Sequence, residues 1–461
     1  MTDVASPAPA RGAFAAGGGA RAAIEAVAEG FAEHDRELVS TDPLRWPGYD
    51  GQRHRAQERS GERESVVCGT ARIGGAEVEL IAFDFRFMGG SMGEAAGRKI
   101  TRAIDRAVAG GRPVVSLPVS GGCRMQEGMR SLVQMQQIAA ACARLRAAGF
   151  AHVAVVRSPT TGGVWASLAA GADVILAVCG ATVAFAGRRV RDAAAGDGDG
   201  DGDEEAFTAE GKLACGQVDQ VLTEAELPAR LALAVRVLAR GGTTDAPAPA
   251  GVPAALGRDD LAGDGWTAVA RARDAARPRA QAYLDRHFDA RLELSGDRAG
   301  GRDAGMLCGV GLRGGRAVAY VAQAGVANTA AGYRTAARVI RLADRLGLPL
   351  LTLVDTPGAA NDAAAEREAI GAAICDVFAA VAAATVPITT LVIGEGGSGG
   401  ALAIASPTDI WIAPDGYFAV IVPEAATAIL KGTDVPETAR RLRLRPQELV
   451  ELGTVRGIAR P

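Results

Sequence analysis

The sequence predicts an α/β protein built from two similar domains, and two observations support this fold class. Short apolar stretches that suit buried strands alternate with alanine-rich stretches of helical length. The strands predicted in the first half lie at residues 66–67, 78–83, 114–117 and 153–156, and the later helices at 97–109 and 127–147. The second observation is a set of glycine turns that recurs in the second half of the chain.

The glycine turns repeat at an offset of 237 residues, which is 358 minus 121. Gly121 follows an apolar stretch in the first half as Gly358 does in the second, and the pair 162–163 corresponds to the pair 399–400. A helix of small residues, an aspartate and an apolar strand follow each second pair. A period as long as a domain indicates duplication of a whole folding unit rather than a short solenoid repeat.

Composition divides the chain into four segments. Residues 1–40 are expected to form a partly disordered N-terminal extension, although 21–36 has a helical pattern. The first domain is expected at 41–240, a linker rich in Gly, Thr, Pro and Ala at 241–262, and the second domain at 263–461. The second domain is predicted to begin with a helix at 266–286.

Charge and hydropathy argue against several classes of function. The formal net charge of -3 provides no basic surface for nucleic acid, and no run of about 18 apolar residues suits a membrane span. The N-terminus lacks a basic segment followed by a long apolar stretch, so a cytoplasmic location is expected. The seven cysteines form no CxxC pair and the four histidines lack metal spacing, so no bound metal is expected.

The paired glycines suit the binding of an oxyanion. A strand that turns directly into a helix presents unpaired backbone N–H groups, and glycine lets a ligand oxygen approach them closely. Preorganised donors of this kind stabilise an anionic centre such as a thioester enolate by about 2.7–4 kcal/mol each. The structural alternative is tight packing of helix on sheet, which explains one such pair readily and two matching sets less well.

Other short patterns have structural explanations. Residues 89–93 and 396–400 fit the G-x-S-x-G pattern of hydrolases, but no histidine follows Ser398 to complete a triad. Arg124 and Glu127 suit either a structural ion pair or the orientation of an active site, and Glu395 suits either the positioning of a loop or contact with substrate.

A run of aspartates resembles a calcium-binding loop. Asp197, Asp199, Asp201 and Asp203 imitate the start of an EF-hand, but the twelfth position holds Thr208 instead of glutamate. A flexible acidic loop is therefore expected there.

Several motifs together resemble a known family. Residues 87–93 (FMGGSMG), 120–128 (SGGCRMQEG), 160–167 (TTGGVWAS) and 184–190 (AFAGRRV) resemble the β subunit of bacterial acetyl-CoA carboxylase carboxyltransferase. Residues 332–334, 355–358, 365–367 and especially 393–404 (IGEGGSGGALAI) resemble its α subunit. The chain is thus similar to a β–α fusion, and the resemblance implies two tandem crotonase (ClpP-like) ββα-superhelix domains.

The resemblance also implies a reaction and its site. A carboxyl group would move from carboxybiotin on a carrier protein to the α-carbon of an acyl-CoA, through enolates held by backbone donors at the paired glycines. The catalytic glycines would be Gly121, Gly122, Gly162, Gly163, Gly358, Gly396, Gly397, Gly399 and Gly400. The substrate-binding residues would be Gly89, Gly90, Ser91, Met92, Arg124, Phe185, Gly187 and Arg188. The glycines of the first half would bind the thioester, and those of the second half would bind biotin. The biotin-binding residues would be Gly396, Gly397, Gly399, Gly400 and Ala401.

The partners implied are an acyl-CoA or acyl-carrier thioester, a biotin carboxyl carrier protein, a biotin carboxylase and a further copy of this chain. In the family the site lies between the β half of one protomer and the α half of another, so a homodimer or larger assembly is expected.

Departures from the family keep alternatives open. The chain lacks the four-cysteine zinc ribbon of the β family, and the segment between Gln323 and Gly332 is shorter than in the α family. The family's Gly-Ala-Tyr-Pro-Gly is Gly358-Ala-Ala-Asn-Asp362 here, and its Pro-Glu-Gly is Pro423-Glu-Ala425. A biotin-independent malonyl-thioester decarboxylase and a non-catalytic scaffold subunit of a carboxylase complex therefore remain alternatives.

Overall fold

The computed structural model describes residues 14, 19–188, 191, 204–239 and 247–461. The chain divides into two compact units, Met1–Gly242 and Thr243–Pro461. Asp197, Asp199, Asp201 and Asp203, which resemble a calcium-binding loop, lie outside the described residues. In the described part of the chain, no helix is both long enough and apolar enough to cross a membrane.

The first unit is organised around one sheet. Its strands join in the order β1-β2-β3-β4-β5-β7-β9, antiparallel from β1 to β3 and parallel from β3 onward. A separate short pair, β6 and β8, lies beside it. The strands are β1 Glu29–His34, β2 Val66–Ile73, β3 Ala76–Phe83, β4 Val114–Leu117, β5 His152–Val156, β6 Thr160–Thr161, β7 Val174–Val178, β8 Val183–Ala184 and β9 Gln220–Leu222.

Helices cover the sheet of the first unit. The helix Glu94–Gly110 packs its apolar stripe, which includes Ile100 and Ile104, into a core with Ile138 and Leu145 from the helix Gln134–Ala147. It ends at Gly111, whose φ of 65° is the left-handed conformation that glycine adopts at helix ends. The other helices are Ala20–Val27, Tyr49–Ser60, Met129–Leu132, Gly162–Val164, Ala209–Ala214 and Leu227–Leu238, with 3₁₀ turns at Met88–Gly90, Met125–Glu127 and Glu204–Phe207 and a π-turn at Trp165–Ala169.

The second unit repeats this plan. Its sheet has the order β10-β11-β12-β13-β14-β15-β17, with β16 also paired to β14, and it changes from antiparallel to parallel at β12. The strands are β10 Ala290–Leu294, β11 Met306–Arg313, β12 Arg316–Gln323, β13 Leu350–Thr356, β14 Ile388–Gly397, β15 Ile410–Ile412, β16 Tyr417–Ala419 and β17 Gly457–Ile458. The helices are Gly265–Arg273, Ala280–His287, Ala330–Leu346, Ala363–Arg367, Ile370–Ala383, Ser398–Leu402, Pro423–Ile429, Val435–Arg441 and Pro446–Glu451.

Three predicted helices differ from the structure. The pattern at 21–36 forms a helix only over Ala20–Val27, and the rest is strand β1, which pairs with β2 after a bulge at Gly30. The predicted helix 266–286 is two separate helices, Gly265–Arg273 and Ala280–His287. Pro278, in the segment between them, cannot donate a backbone hydrogen bond and so cannot continue a helix. The predicted helix 127–147 is divided at Val133.

Candidate active site

The turn after β4 carries the first glycine pair of the first unit. Gly121 donates its backbone N–H to the Gly89 carbonyl over 2.9 Å, and Gly122 donates to the Ser120 hydroxyl oxygen over 3.0 Å. Gly122 has a φ of 113°, which a residue with a side chain rarely adopts. The substrate-binding segment predicted at 89–92 therefore lies directly against this turn.

The second pair of the first unit lies against the first pair. Gly162 has a φ of 62°, and a Cβ built on it would be only 3.0 Å from the Gly122 Cα. Its N–H donates to the Phe185 carbonyl over 2.9 Å, so the predicted residue Phe185 contacts the turn through its backbone while its ring is exposed. Gly163 lies against the Cys123 sulfur, a weak acceptor, since a Cβ built on Gly163 would be 2.6 Å from that atom.

These contacts narrow the set of available donors. The N–H groups of Gly121, Gly122 and Gly162 already donate hydrogen bonds within the chain. A ligand oxygen that binds one of these N–H groups would have to displace its present acceptor. The N–H of Gly163 is the member of this group that a ligand can take over at least cost, because it gives up only a thiol contact. Gly187 lies beside Thr161, and Arg188 is exposed.

The glycines of the second unit meet in the same way. Gly358 has a φ of 140° and donates its N–H to the Thr356 hydroxyl oxygen over 3.1 Å. A Cβ on Gly397 would collide with the Pro357 carbonyl, and one on Gly400 would be 2.6 Å from the Ala359 nitrogen. Gly396 pairs with Phe418 of β16 and is closely covered by that ring, and Ala401 is buried.

Gly399 differs from its neighbours in the second unit. It is exposed, and a Cβ built on it would meet no atom of the described chain within 4 Å. It is the second residue of the helix Ser398–Leu402, where backbone N–H groups have no partner within the helix. The position therefore combines a free direction of approach with backbone donors.

The hydrogen bonds show that the repeat has an offset of 236 residues, 358 minus 122, so the predicted 237 is wrong by one. Gly358 corresponds to Gly122, since both donate to a hydroxyl two residues earlier, and Ser398 with a φ of 66° corresponds to Gly162. The bridge between Met92 and Cys123 likewise recurs between Asn328 and Ala359. Because each motif contains consecutive glycines, the sequence alone allows two alignments of the halves, with offsets of 236 and 237 residues. The hydroxyl groups of Ser120 and Thr356 select the offset of 236.

A buried ionic network supports the first unit's turn. The Arg124 guanidinium is fully enclosed and contacts Glu64 and Glu127, the latter over 3.1 Å, and it donates to the Ser91 carbonyl over 2.7 Å. Although burial opposes ionisation, Arg124 lowers the pKa of Glu64 to about 2. Arg124 therefore fixes the segment that contains Ser91. Burial also raises the pKa of Tyr49, which donates to Glu127 over 2.5 Å, to about 12.

A second network supports the strands that carry the second unit's glycines. Arg277 pairs with Asp355, whose carboxylate also accepts the Glu395 backbone N–H over 3.1 Å. The Glu395 carboxylate accepts from the Tyr417 hydroxyl over 2.5 Å and from Arg273 over 3.0 Å. Glu395 is thus held in a network that joins the ends of β13 and β14 to β16.

Among the described residues, no group of three His, Cys, Asp or Glu side chains is arranged to hold a metal ion.

Comparison with known proteins gives the family. Residues 47–210 match the carboxyl transferase domain, and residues 262–460 match the acetyl co-enzyme A carboxylase carboxyltransferase-like family. The acetyl-coenzyme A carboxylase carboxyl transferase subunits beta/alpha of Salinispora arenicola are 39% identical, over 87% of this chain and 74% of theirs. The chain belongs to the acetyl-CoA carboxylase carboxyltransferase family.

Other relatives agree with this assignment. The carboxyltransferase subunits beta/alpha of Clostridium tetani are 33% identical over 91% of this chain and 75% of theirs. A probable biotin-dependent acyl-coenzyme A carboxylase beta3 subunit of Mycobacterium bovis is 33% identical over 87% of this chain and 80% of its own. The predicted β–α fusion is confirmed, and the chain is a carboxyltransferase of the acetyl-CoA carboxylase type.

Solved structures confirm the predicted fold class. The transcarboxylase 12S hexamer with methylmalonyl-coenzyme A bound superposes with a TM-score of 0.78 at 21% identity, over 97% of this carboxyltransferase and 87% of that chain. A single-chain, multi-domain long-chain acyl-CoA carboxylase gives 0.73 at 20% identity, over 96% of this chain and 45% of that one. The two units are therefore tandem crotonase-type domains.

Several residues that hold the candidate site were not predicted from the sequence. Ser120 and Thr356 hold the turn glycines, and Asp355 joins Arg277 to the backbone of β14. The sequence does contain a signal for Ser120 and Thr356, because each of these hydroxyl residues stands two positions before the glycine that it holds. Asp355 belongs to the family-like stretch 355–358, but its partner Arg277 lies 78 residues away in sequence.

Proposed function

We propose that this carboxyltransferase moves the carboxyl group of carboxybiotin, presented on a carrier protein, to the α-carbon of acetyl-CoA or a related acyl thioester. The observation that carries the proposal is the duplicated glycine turn, together with the chain's family. Two anions arise in such a transfer, on the thioester oxygen and on the ureido oxygen, and the chain has two matching turns.

Held at the glycines of the second unit, carboxybiotin would supply CO₂ when its N–carboxyl bond breaks, and the ureido nitrogen would accept the α-proton of a thioester held at the glycines of the first unit. The α-carbon would then bond to CO₂, so that atoms and charge balance in a malonyl-type product. No side-chain base is required, so the work of the protein is to position both substrates and to stabilise negative charge.

The first unit is assigned to the thioester. The N–H of Gly163 would receive the enolate oxygen, since its own partner is only the Cys123 thiol, and Gly122 and Gly162 would keep the backbone close to the ligand. Gly89, Ser91, Phe185, Gly187 and Arg188 would line the approach, and Arg124 would hold Ser91 in place. Gly90 and the Met92 side chain are buried, the latter in the hydrophobic core, so these two predicted residues would support the approach without lining it.

The second unit is assigned to biotin. The open space beside Gly399 suits a planar ring that must approach backbone N–H groups, and Gly358, Gly396, Gly397, Gly400 and Ala401 would form the walls. Glu395 and Asp355 would be positioning residues, because their hydrogen bonds hold the strand ends and do not reach the open space beside Gly399.

The partners follow from the chemistry. The substrate carboxyl group requires a biotin carboxyl carrier protein and an ATP-dependent biotin carboxylase, and we place the reaction in the cytoplasm. We also propose a homodimer or larger assembly, which light scattering after size exclusion tests directly. A strictly monomeric chain with full activity would contradict that assembly.

The function is tested in reverse. Purified chain is given malonyl-CoA with and without free biotin, and the loss of malonyl-CoA is followed. The proposal expects turnover that requires biotin. Turnover without biotin would indicate a malonyl-thioester decarboxylase. No turnover with any malonyl thioester, despite stable binding to a carboxylase partner, would indicate a scaffold subunit.

A further inference from the structure

Glu79 places a carboxyl group in the interior of the first unit. It lies on β3, on the same face as Ile81 and Phe83, which belong to the hydrophobic core. Its relative exposure is 0%, and its Oε1 has no hydrogen-bond partner within the described residues. Its Oε2 accepts only a long hydrogen bond, over 3.4 Å, from the Thr70 hydroxyl. A negative charge here is costly, because a buried carboxylate is unfavourable unless it is paired and hydrogen-bonded.

The two arginines near Glu79 are bound to other residues. Arg106 pairs with Asp35, the residue that follows β1. Arg112 donates to the Thr70 hydroxyl over 3.1 Å. In the part of the chain that the structure describes, neither arginine forms an ion pair with Glu79, although Arg106 Nη1 and Arg112 Nε are buried without a partner. The carboxyl group is therefore left without a compensating contact, beside two donors that a negative charge would attract.

The second unit has apolar residues at the same places. Glu79 pairs with Val114 in the register of β3 and β4. Ala319 pairs with Leu350, the residue 236 positions after Val114 (350 minus 114), in the register of β12 and β13. By the strand registers and the helix ends, the counterparts of His34, Thr70, Glu79, Arg106 and Arg112 are Leu294, Val310, Ala319, Leu342 and Leu348. All five counterparts are buried, so the fold itself does not require polar side chains at these positions.

The surroundings of Glu79 favour its neutral form. The titratable and charged groups around it are His34 and Asp35 at the end of β1, Cys68 on β2, Lys99, Arg102 and Arg106 on the helix Glu94–Gly110, and Arg112 beyond that helix. Burial raises the pKa of Glu79 to about 7, although Arg106 and Arg112 oppose this shift. Burial and Arg106 lower the pKa of His34 from 6.5, so its imidazole is neutral where Glu79 titrates. Burial raises the pKa of the Cys68 thiol far above neutrality.

We propose that Glu79 binds a proton in the folded first unit and thereby makes the end of β1 sensitive to pH near neutrality. This inference does not depend on the proposed reaction. As a neutral carboxylic acid, Glu79 leaves Arg106 to Asp35 and Arg112 to Thr70. When the proton passes to solvent, the carboxylate attracts both guanidinium groups. Asp35 then loses part of the pairing that holds the end of β1.

The test follows amide hydrogen exchange of residues 29–36, and the infrared C=O band of protonated carboxyl groups, in the full-length chain. The pKa of Glu79 lies above its usual 4.5, so the stabilisation by its proton is fully present below pH 4.5 and is lost as the pH rises through 7. For a local opening that returns Glu79 to its usual pKa, the opening constant, corrected for intrinsic exchange rates, rises about tenfold from pH 6 to pH 8. The infrared band of the neutral acid disappears over the same range.

Two variants and a matched control assign these signals to Glu79. Glu79→Gln keeps the shape of the neutral acid, and Glu79→Ala installs the residue of the second unit, so both lose the infrared band and the tenfold change. Glu77→Gln keeps both, because Glu77 is exposed two residues earlier on β3. Equal protection of β1 in the wild type at the two pH values overturns the inference, even where neither Glu79 variant folds. A band or a pH dependence that a Glu79 variant retains overturns it as well.

Discussion

Gly399→Ala separates ligand binding from folding at the second glycine pair. The added methyl group would meet no atom of the described chain within 4 Å, and the residue lies in the first turn of a helix. Replacement of glycine by alanine in a helix is neutral or stabilising by up to about 1 kcal/mol. The variant should therefore fold at least as well as the wild type.

Its activity should nevertheless fall. The methyl group would occupy the space beside Gly399 that we assign to the ligand as it approaches the backbone donors. Complete loss of one oxyanion donor costs about 2.7–4 kcal/mol. A methyl group displaces the ligand without removing the donor, so we expect a loss of about 1.4–2.7 kcal/mol, which is a tenfold to hundredfold fall in kcat/KM for biotin.

The assay is biotin-dependent loss of malonyl-CoA, with thermal unfolding of the same preparation. Gly371→Ala is the matched control, because Gly371 is exposed in the helix Ile370–Ala383 and its added Cβ also meets nothing within 4 Å. That control should keep full activity. Wild-type kinetics in Gly399→Ala would refute the assignment of a ligand to this space, and unfolding of Gly399→Ala would refute the geometry on which it rests.

Three further predictions concern the supports of the site. The pKa of Glu64 is lowered from 4.5 to about 2, so its ion pair stabilises the fold fully above pH 4.5, and this stabilisation is lost as the pH falls toward 2. Glu64→Gln should lower the free energy of unfolding in urea at pH 7 by about 3–5 kcal/mol and should make that free energy less dependent on pH in the acid range. Glu77→Gln, at an exposed position, should change neither quantity. Tyr417→Phe removes the hydroxyl donor to Glu395 and should cost about 1–3 kcal/mol, so an unchanged Tm would contradict the role of that contact. Gly162→Ala forces a methyl group into a left-handed backbone close to the first glycine pair and should cost at least about 1–2 kcal/mol, with loss of activity; wild-type stability would contradict the close contact of the two turns.

The sequence was sufficient for the parts of the fold that depend on local pattern. The strands at 114–117 and 153–156 and the helix at 97–109 were predicted close to their observed bounds, because apolar runs and helical periodicity are local properties. The helix predicted at 21–36 is wrong over its second half because β1 is held by pairing with β2. The paired residues lie 34 to 43 positions apart (68 minus 34 and 72 minus 29), and no local pattern reveals such a contact.

The paired glycines of the candidate site can be recognised in the sequence, but the side chains that hold them in place cannot. Paired glycines at a strand end and their recurrence are visible in the sequence, as is the family. The contact of Arg124 with Glu64 spans 60 residues, and that of Arg277 with Asp355 spans 78, so neither follows from spacing. The hydrogen bonds that the Gly121, Gly122 and Gly162 N–H groups make within the chain likewise depend on the folded structure and not on local sequence.

The most direct test of the account follows the carboxyl group itself. Malonyl-CoA labelled in its free carboxyl carbon is mixed with the purified chain and biotin, and the reaction is quenched under alkaline conditions that preserve carboxybiotin. The account predicts that label appears in carboxybiotin as acetyl-CoA forms, and that Gly399→Ala lowers both by the same factor. Release of all label as CO₂ at a rate that does not depend on biotin would contradict it.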